Sequence, residues 1–325
     1  MGVRRAVDLA FEEARNAEKT GAPVYTIGPL IHNPNVLDDL KTAGIQVIDE
    51  NSLNASNALF EGYRSLLIAD CSLIIRAHGI SPLLEKELRN IGCRIVDATC
   101  PKVKANQLKI RELIKEGYFI FLAGEARHAE IEGLLGYARE MLTQDAPIEC
   151  NDGVLTNCVL AGNVEEARKA AENQYRKNKT VKTALLSQTT ISEDEYKTIG
   201  DEIKKSFPGL KIVNTICAAS SERQQALREV LPQVDAVIIA GGEESANTRR
   251  LLAIAKESGK PCVLAESIRD IPEEFFKFER VGISAGASTP DAVVQGIELD
   301  LKKKVKRVIK SRECTRMKTN KVRKV

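Results

Sequence analysis

The chain of 325 residues contains three histidines, and all three stand in the same kind of place. His32 lies in Leu30-Ile31-His32-Asn33-Pro34, His78 in Arg76-Ala77-His78-Gly79, and His128 in Arg127-His128-Ala129-Glu130. Each follows a short apolar run and precedes a stretch with helical spacing, so each occupies a strand-to-helix junction. An imidazole there can hydrogen-bond a diphosphate, relay a proton or ligate a metal. A zinc hydrolase using all three is one reading, although no pair has the close helical spacing of a zinc-protease motif. Glu130 comes two residues after His128, with Glu132 beyond it. A carboxyl at the mouth of a partly dry site is a candidate proton donor. The helix macrodipole equally favours a glutamate in a first helical turn.

The eight cysteines contain no C-x-x-C pair, which excludes a thioredoxin or zinc-ribbon motif. Cys100, in Asp97-Ala98-Thr99-Cys100-Pro101, and Cys217, in Asn214-Thr215-Ile216-Cys217, each follow a predicted strand. Cys71, Cys93 and Cys262 fall at or near strand starts and read as small buried hydrophobes. Cys150, Cys158 and Cys314 lie in segments that read as irregular or as tail. Two thiols fall short of the four ligands that an iron–sulfur cluster usually takes from protein.

Elements that place these residues are legible as alternation. Short β-rich runs occur at 24–27, 73–76, 94–96, 118–123, 183–186, 211–213, 236–240 and 281–284. Amphipathic stretches at 83–90, 193–207, 221–231 and 248–258 have apolar residues three and four apart. Strand, short connection, helix, strand predicts parallel α/β sheets. Small polar clusters come after the strands: Ala77-His78-Gly79, His128-Ala129-Glu130, Ser187-Gln188-Thr189-Thr190, Ser245-Ala246-Asn247-Thr248 and Ala287-Ser288-Thr289-Pro290. Carboxyl ends of parallel strands face the ligand crevice, and helix N-termini there offer N–H groups to anions. Together the clusters imply one large site for a polar, phosphorylated ligand; each taken singly is also explained as a helix cap. Val3, Ala6, Val7, Ala10, Phe11 and Ala14 form a helical stripe running to about Gly21, with no strand before it.

The chain is 43% hydrophobic and 29% charged, enough to build large cores and too apolar for a disordered protein. No run reaches the roughly 18 apolar residues of a membrane span. The first twenty residues lack the apolar core of a signal peptide, which predicts a cytoplasmic protein with reduced thiols. The net charge of +3 hides an asymmetry. From Lys302 to Val325 there are twelve Lys/Arg and one acid, leaving 36 basic and 44 acidic residues in 1–301, a net of −8. This basic tail reads as a solvated helix end that frays, with weak nucleic-acid contact as its alternative and no interleaved aromatics for base stacking.

Taken in order, GVRRAV, IHNP, RAHG, DATCP, HAEIEG, SQTT, ESANT and SAGASTPD resemble the 4-hydroxy-3-methylbut-2-enyl diphosphate reductases of non-mevalonate isoprenoid synthesis, from Gly2 to about Leu301. The resemblance implies three small α/β domains with parallel-rich sheets around a central [4Fe–4S] cluster, here 1–98, 99–215 and 216–301, with 302–325 outside them. It implies reductive dehydroxylation of the allylic diphosphate to isopentenyl and dimethylallyl diphosphate, with electrons from a ferredoxin or flavodoxin. Cys100 and Cys217 correspond to cluster ligands; Glu130 to the proton-feeding acid; Thr189 to the residue beside the substrate hydroxyl. His32, His78, His128, Ser245, Asn247 and Ser288 correspond to diphosphate ligands. Ala246 replaces a family serine, and Ala129 a common proline. The family's first cluster cysteine would immediately precede Met1, as though an internal methionine had been taken as the start. A cluster-deficient form that still binds diphosphate is the alternative.

Overall fold

The computed structural model describes residues 2–49, 71–140, 157–305 and 307–311. Helix α1 (Gly2–Thr20) opens the chain. Buried Ala6, Ala10 and Ala14 form its inward stripe, and their small side chains allow close packing. The first sheet holds β1 (Val24–Ile27), β2 (Ile45–Ile48), β3 (Ser72–Ile75) and β4 (Arg94–Asp97), with α2 (Pro34–Thr42) and α3 (Pro82–Asn90) among them. Helix α4 (Pro101–Lys115) leads to the second sheet: β5 (Tyr118–Ala123), α5 (Ala129–Glu140), β6 (Cys158–Leu160), α6 (Val164–Lys177), β7 (Lys182–Ser187), α7 (Glu193–Ser206) and β8 (Lys211–Ile212). Helix α8 (Ala218–Val230) leads to the third: β9 (Ala236–Ala240), α9 (Ala246–Glu257), β10 (Cys262–Ala265), β11 (Arg280–Ala285), α10 (Asp291–Lys302) and β12 (Arg307–Lys310).

All three sheets are parallel and share one order: β2-β1-β3-β4, β6-β5-β7-β8 and β10-β9-β11-β12. In each, the chain moves outward from its first strand, crosses back over it and continues on the other side. The crevice of such a sheet opens between the carboxyl ends of its first and third strands. Central strands are buried on both faces, as helices on both sides require. Phe119, Phe121 and Ala123 of β5 face one core while Ile120 and Leu122 face another; in β9, Ala236, Ile238 and Ala240 oppose Val237 and Ile239.

The described chain forms two compact units, Met1–Leu30 with Leu37–Ile216, and Ile31–Val36 with Cys217–Val325. The first holds two sheets and the second holds one.

Two sequence expectations need correction. Residues 307–310, assigned to a fraying basic tail, are the strand β12, paired with β11 from Arg280↔Arg307 to Ile283↔Lys310. Val305 and Val308 pack on the third core, Ser311 is buried, and Lys310 neutralises itself against Glu298 at 2.6 Å. The rest of the tail, 312–325, lies outside the described residues, as do Cys150 and Cys314. Cys158, assigned to an irregular segment, begins β6 and is fully buried. Among the described residues no helix is long and apolar enough to cross a membrane.

Candidate functional site

The first unit places its candidates at the ends of β3, β4, β5 and β7. His78 comes after β3, in a turn closed by Gly79 N–H donating to Arg76 O at 3.0 Å. Its ring meets that of His128 edge-on, with centroids 5.1 Å apart and planes at 77°. His128 Nδ1 accepts from the Glu130 backbone N–H at 3.1 Å, which puts the proton of a neutral ring on Nε2. Arg127, just before it, is in the left-handed conformation at φ 63°, the one non-glycine with positive φ among the described residues. Such strain persists only where the surrounding structure imposes it, and here the turn delivers His128 and Glu130 to the start of α5.

Glu130 begins α5 and is 1% exposed. Its Oε1 accepts from the Thr189 N–H and its Oε2 from the Thr189 hydroxyl, both at 2.8 Å. Burial pushes its pKa up to about 7, even though both Thr189 hydrogen bonds favour the carboxylate. A carboxyl with that pKa is half protonated at neutral pH and suited to give a proton. The neighbouring Gln188, for which the sequence suggests no role of its own, fixes the loop: Oε1 accepts from Glu125 N–H at 3.0 Å and Nε2 donates to Thr190 Oγ1 at 2.8 Å.

Cys100 caps α4 after β4 without a side-chain capping hydrogen bond. The amino end of α1 reaches it so closely that a Cβ on Gly2 would lie 2.4 Å from Sγ. Arg5 of α1 donates to the carbonyls of Thr99 (3.2 Å) and Asp97 (3.3 Å), while Asp97 Oδ1 accepts from Thr99 N–H at 2.9 Å. The Cys100 loop is thus held from both sides. Cys71 and Cys93 are buried as expected, with sulfurs 3.0 Å apart, and burial pushes the Cys71 thiol up to about 12, whereas Cys262, at the start of an edge strand, is only partly buried.

In the second unit, Ser245 caps α9 by accepting from Thr248 N–H at 3.4 Å, so the capping explanation holds for it. It also faces the third sheet's crevice, where Ser288 Oγ lies 3.4 Å from Ser245 Oγ and donates to His32 O at 3.5 Å. Asn247 is 4% exposed and neither of its amide atoms has a hydrogen-bond partner; nor does Thr248 Oγ1. Buried amides are rarely left so, and this one points to a polar ligand. Close approach of backbone to these side chains requires glycine. A Cβ on Gly286 would stand 2.1 Å from Thr248 Oγ1. Cys217 caps α8, again without a side-chain capping bond.

Among the described residues no group of three or more His, Cys, Asp or Glu is placed to hold a metal ion. Cys100 and Cys217 are partly exposed free thiols, each at a helix start, and suit thiolate ligands. They are two donors where an iron–sulfur cluster takes more.

Three parallel sheets of one order, with polar groups where their strands end, define an α/β protein of the doubly wound class. Residues 1–302 match the family model described as LytB protein, and the chain belongs to that family. It is 37% identical over 300 residues to the 4-hydroxy-3-methylbut-2-enyl diphosphate reductase of Treponema denticola, covering 92% of this chain and 94% of that protein. It is 35% identical over 298 residues to the enzyme of the same name from Aquifex aeolicus, covering 91% and 90%. A solved structure of (E)-4-hydroxy-3-methyl-but-2-enyl diphosphate reductase, described as the terminal enzyme of the non-mevalonate pathway, is similar with TM-score 0.62 and 35% identity over 93% of this chain and 95% of that one. The corresponding Plasmodium falciparum structure, 23% identical, shares the fold with TM-score 0.77 over 97% of this chain and 93% of that one.

Proposed function

We propose that this chain reductively dehydroxylates 4-hydroxy-3-methylbut-2-enyl diphosphate, giving isopentenyl and dimethylallyl diphosphate. The observation that carries the reading is the buried Glu130 carboxyl, held on both oxygens by Thr189 and following His128 in the turn that starts α5. His32, His78, His128, Ser245, Asn247 and Ser288 hold the diphosphate, the histidines and the amide acting as donors to its oxygens. Thr189 orients the substrate hydroxyl. The allylic C–O bond breaks as two electrons enter the allyl group. Glu130 passes a proton to the departing oxygen, which leaves as water, and a second proton adds at one or the other end of the allyl system. An iron–sulfur cluster, with Cys100 and Cys217 among its thiolate ligands, supplies the electrons when bound.

Those electrons come from a ferredoxin or flavodoxin in the cytoplasm, and 1–98, 99–215 and 216–301 act as three domains. Nucleic acid has no part in this reading beyond weak contact with the basic end of the chain. The test is anaerobic reconstitution with iron and sulfide, followed by assay with a reduced donor and product identification. Acid-labile sulfide together with both alkenyl diphosphates is the expected result. A colourless protein that binds inorganic pyrophosphate yet never turns over would overturn it in favour of a diphosphate-binding, cluster-deficient form.

A further inference from the structure

At the amino ends of β3 and β4 stands a pair of side chains that the proposed reaction does not use. Ser72 pairs with Arg94 in the parallel register, and Arg94 N–H donates to Cys71 O at 2.9 Å. One residue further back, Cys71 and Cys93 stand opposite each other with sulfurs 3.0 Å apart. Neighbouring strands set opposed Cα atoms about 4.8 Å apart, inside the span of about 4.4–6.8 Å that a disulfide bridges. Both cysteines belong to one core with Leu73 and Ile75. Ser72 and Arg94, next in the chain, point to the other face of the sheet. There Glu13 Oε1 of α1 accepts from the Ser72 hydroxyl and from Arg94 Nη1, both at 2.7 Å. The strand pair is thus clamped on one face while the sulfurs meet on the other. A small buried hydrophobe accounts for either cysteine alone. Two at opposed positions, sulfur to sulfur, are placed for a bond.

We propose that Cys71 and Cys93 form a reversible redox site, joined as a disulfide when a hydroperoxide oxidises them. Cys93, 7% exposed, is the sulfur that an oxidant reaches, whereas Cys71 is 0% exposed. The Cys93 sulfur attacks a peroxide oxygen, the O–O bond breaks and water leaves, so Cys93 becomes a sulfenic acid. The Cys71 sulfur then displaces that hydroxyl. The S–S bond forms, the S–O bond breaks, and the Cys71 thiol proton leaves with the hydroxyl as a second water. The cysteine pair loses two electrons and the peroxide gains them; a dithiol returns them. The bond ties residues 22 apart in the chain, at the strand ends remote from His78 and Cys100, which follow the carboxyl ends of β3 and β4. It locks the sheet without covering the site, and it does not rest on the reductase reading.

The test titrates the reduced full chain with hydrogen peroxide until the partly exposed Cys100 and Cys217 are oxidised. Free thiols are then alkylated in denaturant and the unreduced digest is read by mass spectrometry. The expected result is a cross-linked peptide pair holding Cys71 and Cys93 in most molecules, reversed by dithiothreitol. The melting temperature rises by about 5 °C, because the closed loop restricts the unfolded chain. Cys71→Ala leaves Cys93 as a sulfenic acid that dimedone captures, and peroxide no longer raises the melting temperature. Cys93→Ala leaves Cys71 as a free thiol. Alkylation of both Cys71 and Cys93 in the treated wild type, or a bond from either to another cysteine, overturns the proposal. A cross-link without a rise in melting temperature overturns the lock, and oxidised Cys71 in Cys93→Ala overturns the order of the two steps.

Discussion

Thr189 holds both oxygens of the Glu130 carboxyl, with its N–H on Oε1 and its hydroxyl on Oε2, each at 2.8 Å. Fifty-nine residues separate the two in the chain, and the pair joins the end of β7 to the start of α5. Two hydrogen bonds of this kind would ordinarily keep an acid well ionised. Burial overrides them and leaves the carboxyl titrating at about 7. The threonine thus fixes where the carboxyl points, while the dry surroundings set the pH at which it ionises.

Glu130→Gln should stabilise the protein in a pH-dependent way. Below the ordinary carboxylate pKa of 4.5 the group is protonated whether the chain is folded or not, and no penalty exists. Between 4.5 and about 7 the folded chain retains a proton that the unfolded chain releases, so stability falls as pH rises. Above about 7 the burial cost is complete, on the order of 3 kcal/mol for a shift of that size. Melting curves of the variant and wild type should coincide near pH 4 and separate by pH 8, the variant melting higher. Turnover in the variant should fall by about 100-fold or more with the proton donor gone. Coincident melting at both pH values would contradict the assignment.

Removing only the hydroxyl should move the titration. Thr189→Val keeps the backbone N–H on Oε1 and deletes the donor to Oε2, one of the two contacts that lower the Glu130 pKa. Activity that requires the protonated acid should decline above about pH 7 in wild type. In the variant that alkaline limb should shift to higher pH while the maximal rate drops. A pH–rate profile with an unmoved limb would sever the link.

Asn247 offers a contrast between stability and binding. Its amide is buried and unpartnered, so Asn247→Leu should leave the melting temperature unchanged or raise it. Affinity for inorganic pyrophosphate should weaken about tenfold, the worth of one hydrogen bond to a charged oxygen. Equal affinity by calorimetry would leave the orphaned amide without its explanation.

Crowding around Thr248 gives a purely mechanical prediction. Gly286→Ala forces a Cβ to within 2.1 Å of Thr248 Oγ1, and overpacking of this kind costs about 1–3 kcal/mol. Adding Thr248→Ala removes the offending oxygen and should restore most of the loss in chemical denaturation. Failure of the rescue would mean that the backbone at 286 cannot carry a side chain for another reason.

How much can be read from residues alone depends on burial. β5 and β9 are covered on both faces, so their apolar runs are unbroken and their limits, 118–123 and 236–240, are legible. β2, β6, β10 and β12 escaped; all four are edge strands, but so are the legible β4 and β8, so edge position alone does not hide a strand. In β2, Gln46 and Val47 are exposed between two buried isoleucines; β6 is only three residues long. β12 was hidden by its basic ends, Arg307 and Lys310, the latter neutralised by Glu298 from α10, a contact no local pattern contains. The same limit applies to the site. The histidines and polar clusters announced themselves by position, whereas the left-handed Arg127 carries no local signature. Thr189 came from family resemblance; its grip on Glu130 needed the fold.

The shared strand order of the three sheets also sorts the damage that random substitution can do. Changes near the amino ends of the strands, such as Val24, Thr183 or Ala236, touch only the packing and should register as lost yield of folded protein. Changes one turn past the carboxyl ends fall on side chains whose work is external to the core. The two kinds of loss are therefore separated along these strands by four to six residues of scaffold. A mutational scan scored once for abundance and once for activity should show that division three times over, and new specificities can be sought at one edge without eroding the other.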